Sequence, residues 1–186
     1  MRIIAGTARS LPLKSIEGRD TRPTTDRIKE TLFNILQTGI EGCSFLDLFA
    51  GSGQIGLEAL SRGADRAVFV ENNKKACACI MDNIRFTRFE ERSKLLVMEA
   101  VSALRTLEGK DTFDYIFLDP PYASGMERDV LVYLASSSLL KEDAVIIIEA
   151  AADTDVSYVT QLGFTMQREK KYKTNKHIFV SKGDKT

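Results

Sequence analysis

Tryptophan is absent from this chain of 186 residues, and histidine and cysteine are scarce, with one and three copies. A zinc site needs about four such ligands at short spacings, and the cysteines and His177 are too scattered to provide them. Three cysteines also give no disulfide framework, which favours a reducing compartment. We therefore predict no metal ion and a cytoplasmic protein.

Long apolar runs and a net charge are also missing. No apolar stretch approaches the roughly 18 residues of a membrane-spanning helix, and no signal-peptide pattern is present. The 26 basic and 26 acidic residues balance, but residues 168–186 hold seven basic residues against two acidic ones, and residues 1–30 hold seven against four. This distribution predicts a polyanionic partner held by both ends of the chain, with ordinary solvated charge as the alternative.

From residue 44 onward, apolar strand segments alternate with helical patterns. The predicted strands are 44–50, 66–71, 94–99, 114–119 and 144–150. The predicted helices between them are 54–62, 74–86, 101–107 and 128–137. Strands that are apolar almost throughout indicate a parallel sheet with helices on both faces. The fold class is therefore a Rossmann-like, doubly wound, mostly parallel α/β sheet.

Two further segments complete the predicted architecture. Residues 1–20 have the pattern of a short hairpin, and a helix follows the punctuation at Pro23. Residues 164–182 have the pattern of a closing antiparallel hairpin. We predict a single domain over 1–186, with an extension over 1–40 and a catalytic core over 41–186.

Glycines and acids occupy the ends of the first three predicted strands. The stretch DLFAGSGQIG, residues 47–56, contains G-x-G-x-x-G, while Glu71 ends the second strand and Glu99 the third. This pattern is typical of a dinucleotide site, and it fits an S-adenosylmethionine (SAM) loop equally well. Glu71 could accept hydrogen bonds from ribose hydroxyls in either case. Glu99 and the backbone N–H of Ala100 could contact an adenine.

The fourth strand favours SAM over a nicotinamide cofactor, because it ends in LDPPYASG, residues 118–125. An exocyclic amine on a nucleobase is a poor nucleophile, since its lone pair is delocalised into the ring. The carboxylate of Asp119 and the carbonyl of Pro120 could accept its two N–H groups and direct the lone pair at a methyl donor. Pro120 and Pro121 would stiffen the turn, and Tyr122 could stack on an extruded base.

Over nearly its whole length the sequence resembles the RsmD-type 16S ribosomal RNA guanine-N2 methyltransferases. The resemblance is carried by RIIAG at the start, RPTTDRIKETLFNIL at 22–36, DLFAGSGQIGLEALSRGA at 47–64, VEN at 70–72 and FLDPPY at 117–122. The family implies SAM as methyl donor. It implies the N2 amine of guanine 966, within an assembled or assembling small subunit, as acceptor. We expect a monomer that contacts 16S rRNA and no membrane.

The resemblance also implies site residues. The predicted catalytic residues are Asp119, Pro120, Pro121 and Tyr122. The predicted cofactor-binding residues are Asp47, Phe49, Gly51, Gly53, Glu71, Asn72, Glu99, Ala100 and Asp119. The predicted RNA-binding residues are Arg9, Arg22, Thr24, Arg27 and Lys29. The chain departs from the family at Ser10 and Leu11, where a Gly-Arg pair is usual, and at Asn72 and Glu99.

Other functions remain open at this point. An amino-methyltransferase could act on adenine N6 in DNA, although 186 residues leave little room for a target-recognition region. A glutamine methyltransferase typically has Asn where this chain has Asp119. A non-catalytic RNA-binding module is a third possibility, which the intact glycine loop and DPPY motif disfavour.

Overall fold

The structure is a computed structural model that describes residues 1–16, 25–121 and 124–183. The chain divides into two compact units, Met1–Glu99 and Ala100–Thr186. Each unit contains parallel strands and α-helices. None of the helices in the described ranges is long and apolar enough to cross a membrane.

The first unit contains a three-stranded parallel arrangement. Its helices are α1 (Asp26–Leu36), α2 (Gln54–Ser61) and α3 (Lys74–Thr87), with a short 3-10 turn at Glu90–Arg92. Its strands are β1 (Ser44–Asp47), β2 (Arg66–Glu71) and β3 (Ser93–Val97). β2 lies in the middle and pairs in parallel with both β1 and β3. The β-strand residues Phe45, Leu46 and Phe69 are fully buried, which explains the apolar pattern of the sequence.

The predicted N-terminal hairpin is reduced to a single antiparallel bridge between Arg2 and Pro12. A longer ladder does not form, because proline has no N–H to continue it. The N–H groups of Ile4 and Ala5 are also used elsewhere, since both donate to the side chain of Glu58 in α2. The segment is therefore held by α2 as well as by its own backbone pairing. In that pairing the Ile3 N–H donates to the Leu11 carbonyl over 3.0 Å, the Ser10 N–H to the Ile3 carbonyl over 2.9 Å and the Leu13 N–H to the Met1 carbonyl over 3.0 Å.

The second unit combines a parallel strand pair with an antiparallel hairpin. Its helices are α4 (Ala100–Leu107), α5 (Met126–Ser136) and α6 (Tyr158–Gln161). Its strands are β4 (Phe113–Leu118), β5 (Leu140–Ala151), β6 (Phe164–Lys171) and β7 (Asn175–Lys182). The strand order is β4-β5-β7-β6, with β4 parallel to β5 and β7 antiparallel to both neighbours.

The predicted closing hairpin is confirmed as β6 and β7, and the prediction of alternating strands and helices is confirmed in both units. Helix α6 was not predicted, because four residues are too few to show helical periodicity. Strand β5 begins earlier than predicted, at Leu140, where polar residues on an exposed stretch conceal its start.

Candidate active site

The loop after β1 turns sharply at Gly53, which caps the N-terminus of α2. Gly53 has φ of +80°, a left-handed conformation that residues with a Cβ adopt at a cost. Its N–H donates to the Ala50 carbonyl over 2.7 Å, and the Ala50 N–H donates to the Val70 carbonyl over 3.0 Å. These bonds tie the loop to the end of β2 and fix its path.

Gly56 serves a different purpose, because it lets α2 approach β2 closely. A Cβ at this position would lie 2.3 Å from Cε1 of the Phe69 ring, which is far inside van der Waals contact. Close helix–strand packing also explains the third glycine of dinucleotide-binding loops. The spacing G-x-G-x-x-G therefore follows from the turn and the packing, and it does not by itself require a pyrophosphate.

Asp47 lies beneath this loop with 1% of its surface exposed. Its Oδ2 accepts a hydrogen bond from the Gly56 N–H over 3.2 Å. Burial, opposed by that hydrogen bond and reinforced by the charge of Glu71, raises the pKa of Asp47 to about 7. The loop therefore encloses a carboxyl group that changes its charge near neutral pH.

This raised pKa predicts a stability change with pH. The folded state holds the Asp47 proton more tightly than the unfolded state, in which the pKa is about 4. The stabilising contribution is therefore complete below about pH 4 and is lost as the pH rises to about 7. We expect the stability of the wild type relative to Asp47→Asn to fall across that window. Thermal melts of both proteins at several pH values check this, and a constant difference between them would contradict it.

Glu71 holds the other side of the loop through both of its carboxylate oxygens. Oε2 accepts the Gly51 N–H over 3.0 Å, and Oε1 accepts the N–H groups of Asn72 and Asn73 over 3.1 and 2.9 Å. Its side chain is nearly buried. A ribose bound here would therefore share a carboxylate that the loop backbone already engages.

Glu99 lies beside Asn72, whose side-chain amide donates to Glu99 Oε1 over 2.5 Å. Hydrogen bonds thus link four of the predicted cofactor residues, Gly51, Glu71, Asn72 and Glu99, into one set within the first unit. Asp47 is bonded separately, to Gly56 at the base of α2. Phe49 is half-exposed in the same loop. The carboxylates of Glu71 and Glu99, with Asp47 partly ionised near neutral pH, disfavour a pyrophosphate and favour a ligand with positive charge.

The DPPY segment follows β4 in the second unit. Asp119 is half-buried, Pro120 is buried and Pro121 is exposed, while Tyr122 lies outside the described residues. The Ser124 N–H donates to the Pro121 carbonyl over 3.2 Å, and Gly125 caps α5. The segment is therefore a strand-to-helix turn that begins with a carboxylate. Ala100, the remaining predicted cofactor residue, is buried at the start of α4.

The predicted RNA-binding residues have different environments. Arg9 and Arg27 are exposed, whereas Arg22 and Thr24 lie outside the described residues. Lys29 is fully buried, its ammonium donates to the Arg2 carbonyl, and it lies 3.3 Å from Glu58 Oε2. Burial lowers the pKa of Lys29, although the charge of Glu58 opposes this shift. We do not retain Lys29 as an RNA contact, because a phosphate cannot reach it.

The sequence analysis missed the partner of Lys29. Glu58 is fully buried in α2, where it accepts hydrogen bonds from the backbone of Ile4 and Ala5 and from Arg62 Nε. We name Lys29, Glu58 and Arg62 the Glu58 cluster. A glutamate inside a helix looks like a solvated surface residue in sequence, and no local pattern marks it as buried. In the described part of the chain, no group of three or more His, Cys, Asp or Glu residues could hold a metal ion.

Known proteins with the same pattern identify the family. The family model described as "Conserved hypothetical protein 95" matches residues 1–181. The Bacillus subtilis (strain 168) protein YlbH is 36% identical over 174 residues, covering 92% of this chain and 94% of YlbH. The Ribosomal RNA small subunit methyltransferase D of Haemophilus influenzae is 34% identical over 171 residues, covering 91% of this chain and 88% of that protein. The chain belongs to the RsmD family. This membership confirms the resemblance inferred from the sequence motifs.

A solved structure supports the same assignment at the level of the fold. The Escherichia coli protein yhhF has a TM-score of 0.86 and 31% sequence identity, with 98% of each chain covered. Such coverage includes the glycine loop and the DPPY segment of this RsmD-family chain. The fold-class prediction, a Rossmann-like methyltransferase fold with a mostly parallel sheet, is confirmed.

Proposed function

We propose that this RsmD-family chain transfers a methyl group from SAM to the N2 amine of a guanine in 16S rRNA of the small ribosomal subunit. The family resemblance implies guanine 966 as the target. Its H. influenzae relative is named as a ribosomal RNA small subunit methyltransferase. We further propose that the chain acts as a cytoplasmic monomer on an assembled or assembling subunit.

The first unit fits SAM by the chemistry of its side chains. SAM carries a sulfonium and an ammonium, and Asp47, Glu71 and Glu99 provide carboxyl groups at or just after the ends of β1, β2 and β3. A Cβ built on Gly51 would meet no atom within 4 Å, so the loop surface is open there. We propose that these residues, with Phe49, Gly51, Gly53 and Asn72, hold the cofactor. When bound, SAM supplies a methyl group activated by its positive sulfur.

Asp119 and Pro120 would then hold the acceptor amine. A half-buried carboxylate and a carbonyl on a proline-stiffened turn can accept two N–H bonds at fixed positions. The amine nitrogen forms its bond to the methyl carbon as the carbon–sulfur bond breaks, and the sulfur keeps that electron pair. The nitrogen then releases a proton to Asp119 or to water. Tyr122 and Pro121 would pack against the flat faces of the base.

The observation that carries the proposal is the presence in one RsmD-family chain of a carboxylate-rich glycine loop and an Asp-Pro-Pro-Tyr strand end. To test it, small subunits from cells lacking this protein are incubated with the protein and methyl-labelled SAM, and the digested RNA is analysed. N2-methylguanosine at a single site is expected. Label in another nucleoside would contradict the proposed acceptor, and no label on subunits despite SAM binding would contradict the proposed substrate.

The exposed arginines give a separate prediction about RNA binding. Replacing Arg9 or Arg27 by alanine should weaken binding to the subunit and reduce the slope of log K against log salt by about 0.7–0.9 for each phosphate that the variant no longer neutralises. Filter binding at several salt concentrations measures both quantities. Arg105→Ala serves as a matched control, because Arg105 is equally exposed but lies on α4. A slope unchanged from wild type would remove that arginine from the RNA-binding surface.

A further inference from the structure

The one histidine of the chain lies fully buried in a polar network of the second unit. His177 Nε2 is 3.0 Å from Glu149 Oε2, and Asn175 Nδ2 donates to Glu149 Oε1 over 2.7 Å. The Tyr172 hydroxyl is 3.3 Å from His177 Nδ1. We name these four residues the Glu149 network. None of them was predicted from the sequence as a site residue.

The hydrogen bonds form a consistent directional set. Burial and the charge of Glu149 raise the pKa of Tyr172 to about 12, so its hydroxyl keeps its proton and can donate to Nδ1. The imidazole then carries its proton on Nε2 and donates to Glu149. The rings of Phe117, Tyr172 and Phe179 meet the imidazole edge-on, with centroids 6.1, 5.2 and 6.5 Å away. Packing and hydrogen bonds together fix the orientation of His177.

Strand packing alone does not require these polar groups. Glu149 and His177 face each other between β5 and β7, and the neighbouring register pair, Ile148 and Ile178, is apolar and fully buried. Apolar residues at such positions are often as stabilising as a buried polar pair or more so, because they avoid the cost of desolvation. The network therefore calls for an explanation other than stability.

Its position in the sheet provides one. Leu118, the last residue of β4, pairs with Ile148 of β5. Asp119 directly follows β4, so we expect it at the level of Glu149, which lies two residues before the end of β5. The ring contact of Phe117 with His177, together with the pairing of Glu149 and His177, places these three residues on one face of the sheet. Side chains alternate between faces, so we infer the same face for Asp119, two residues after Phe117. Neighbouring strands are about 4.8 Å apart. We infer that Asp119, just after β4, continues the row formed by Glu149 of β5 and His177 of β7.

We propose that Glu149 is a positioning residue for Asp119 and that His177 and Asn175 keep its carboxylate ionised and turned toward β7. This inference rests on the proposed function. Held in this way, Glu149 adds a fixed negative charge beside an amine nitrogen that becomes positive during methyl transfer. Released from His177, it would share a proton with Asp119, since two adjacent carboxylates cannot both ionise readily. Asp119 would then lose its capacity to accept the amine N–H.

The strands beside this row carry further charged groups. Asp119 comes from β4, and the register of β6 against β7 places Lys170 opposite His177 and Arg168 opposite Phe179 on the same face. Both basic residues are exposed, so water screens them. Lys176 belongs to the opposite face, where it pairs with Glu169 over 2.9 Å. The side chains that hold Glu149 by hydrogen bonds are therefore those of His177 and Asn175.

The test compares His177→Leu, Glu149→Gln and the double variant, all in the full chain. Methyl-transfer rates on the deficient subunits are measured from pH 6 to pH 9. His177→Leu should transfer about tenfold more slowly at pH 6 and recover near pH 9, because the acidic limb of its profile moves up by about one pH unit. Glu149→Gln should lower kcat about tenfold at every pH and leave the KM for SAM unchanged. The double variant has no second carboxyl group to share the proton, so the upward shift of the acidic limb should be absent.

A loss of packing would behave differently, since it would lower the rate equally at all pH values and would persist in the double variant. Either result would overturn the proposal. If His177→Leu does not fold, as seen by circular dichroism, Asn175→Leu removes the other donor to Glu149 and should shift the acidic limb in the same direction. An unshifted limb in that variant counts against the network.

A second readout needs no RNA and separates this proposal from the proposed function. The carboxyl carbon of Asp119 is followed by NMR in aspartate-labelled protein, with Asp119→Asn giving the assignment. Its titration midpoint should be higher in His177→Leu than in wild type and should return in the double variant. Equal midpoints in the three proteins would refute the role of the network. Failure of wild type to label subunits would instead refute the proposed function.

Discussion

Asp119→Ala is expected to abolish methyl transfer, with a loss of at least a hundredfold in rate, while SAM binds within about tenfold of its wild-type affinity. A tenfold change in affinity corresponds to about 1.4 kcal/mol. The effect on rate is large and the effect on SAM binding is small, because we propose that Asp119 holds the acceptor amine while other carboxylates hold SAM. The proposed cofactor carboxylates Asp47, Glu71 and Glu99 come from the first unit, whereas Asp119 ends β4 in the second.

The physical reason for the rate loss is the weak nucleophilicity of the acceptor. Its lone pair becomes available only when both N–H groups are held by acceptors that draw the nitrogen toward tetrahedral geometry. Removing Asp119 leaves the Pro120 carbonyl as a single acceptor, which fixes neither the rotation nor the pyramidal shape of the amine. Asp119→Asn should also be severely impaired, because an amide oxygen is a weaker acceptor than a carboxylate.

A matched control is available on the same strand. Asp114 stands near the start of β4, where it pairs with Lys141 over 2.7 Å at the surface. Asp114→Ala removes an aspartate from β4 at the opposite end from Asp119, and it should leave the rate and SAM affinity near wild type. Single-turnover transfer and calorimetric SAM titration compare wild type, Asp119→Ala and Asp114→Ala. If Asp119→Ala turned over like Asp114→Ala, Asp119 would have no part in the chemistry.

Much of the fold and of the candidate site follows from local patterns. Strand β2 has the predicted limits. Its residues from Ala67 to Glu71 are all buried, and all are apolar apart from Glu71, which ends the strand. The glycine loop was predictable for a similar reason, since the left-handed turn at Gly53 and the close approach at Gly56 admit few other residues. Positions that demand a particular backbone or a continuous apolar run leave a mark in the sequence.

Long-range pairing leaves no such mark. From the sequence we predicted Lys29 as an exposed RNA contact, because a lysine on a basic helix edge is normally exposed. In the structure it lies buried against Glu58, a glutamate 29 positions away in the sequence. The contact between Glu149 and His177 could not be predicted for the same reason, because it depends on the register between β5 and β7. Buried polar groups are satisfied by partners that only the folded chain brings near.

Glu58→Ala is expected to cost about 3–5 kcal/mol of stability, the usual effect of breaking a buried ion pair from one side. Glu58 is fully buried and accepts the Ile4 N–H over 2.8 Å, the Ala5 N–H over 3.0 Å and Arg62 Nε over 2.8 Å. Its removal leaves these donors without their acceptor and the buried ammonium of Lys29 without its ion-pair partner. The N-terminal segment should then loosen from α2, since Glu58 accepts two of its backbone N–H groups.

Two comparisons isolate this effect from the general loss of a glutamate. Glu30→Ala removes an exposed glutamate from α1 and should change stability by no more than about 0.5 kcal/mol. Lys29→Met should be milder than Glu58→Ala, because it removes the buried charge, keeps an apolar chain of similar length and leaves Glu58 with Arg62 and two N–H donors. For a chain of this size the loss at Glu58 corresponds to a melting temperature lower by about 10 °C. Denaturant titration of the three variants decides the order, and a Glu58→Ala protein as stable as Glu30→Ala would show that the cluster contributes specificity of packing without net stability.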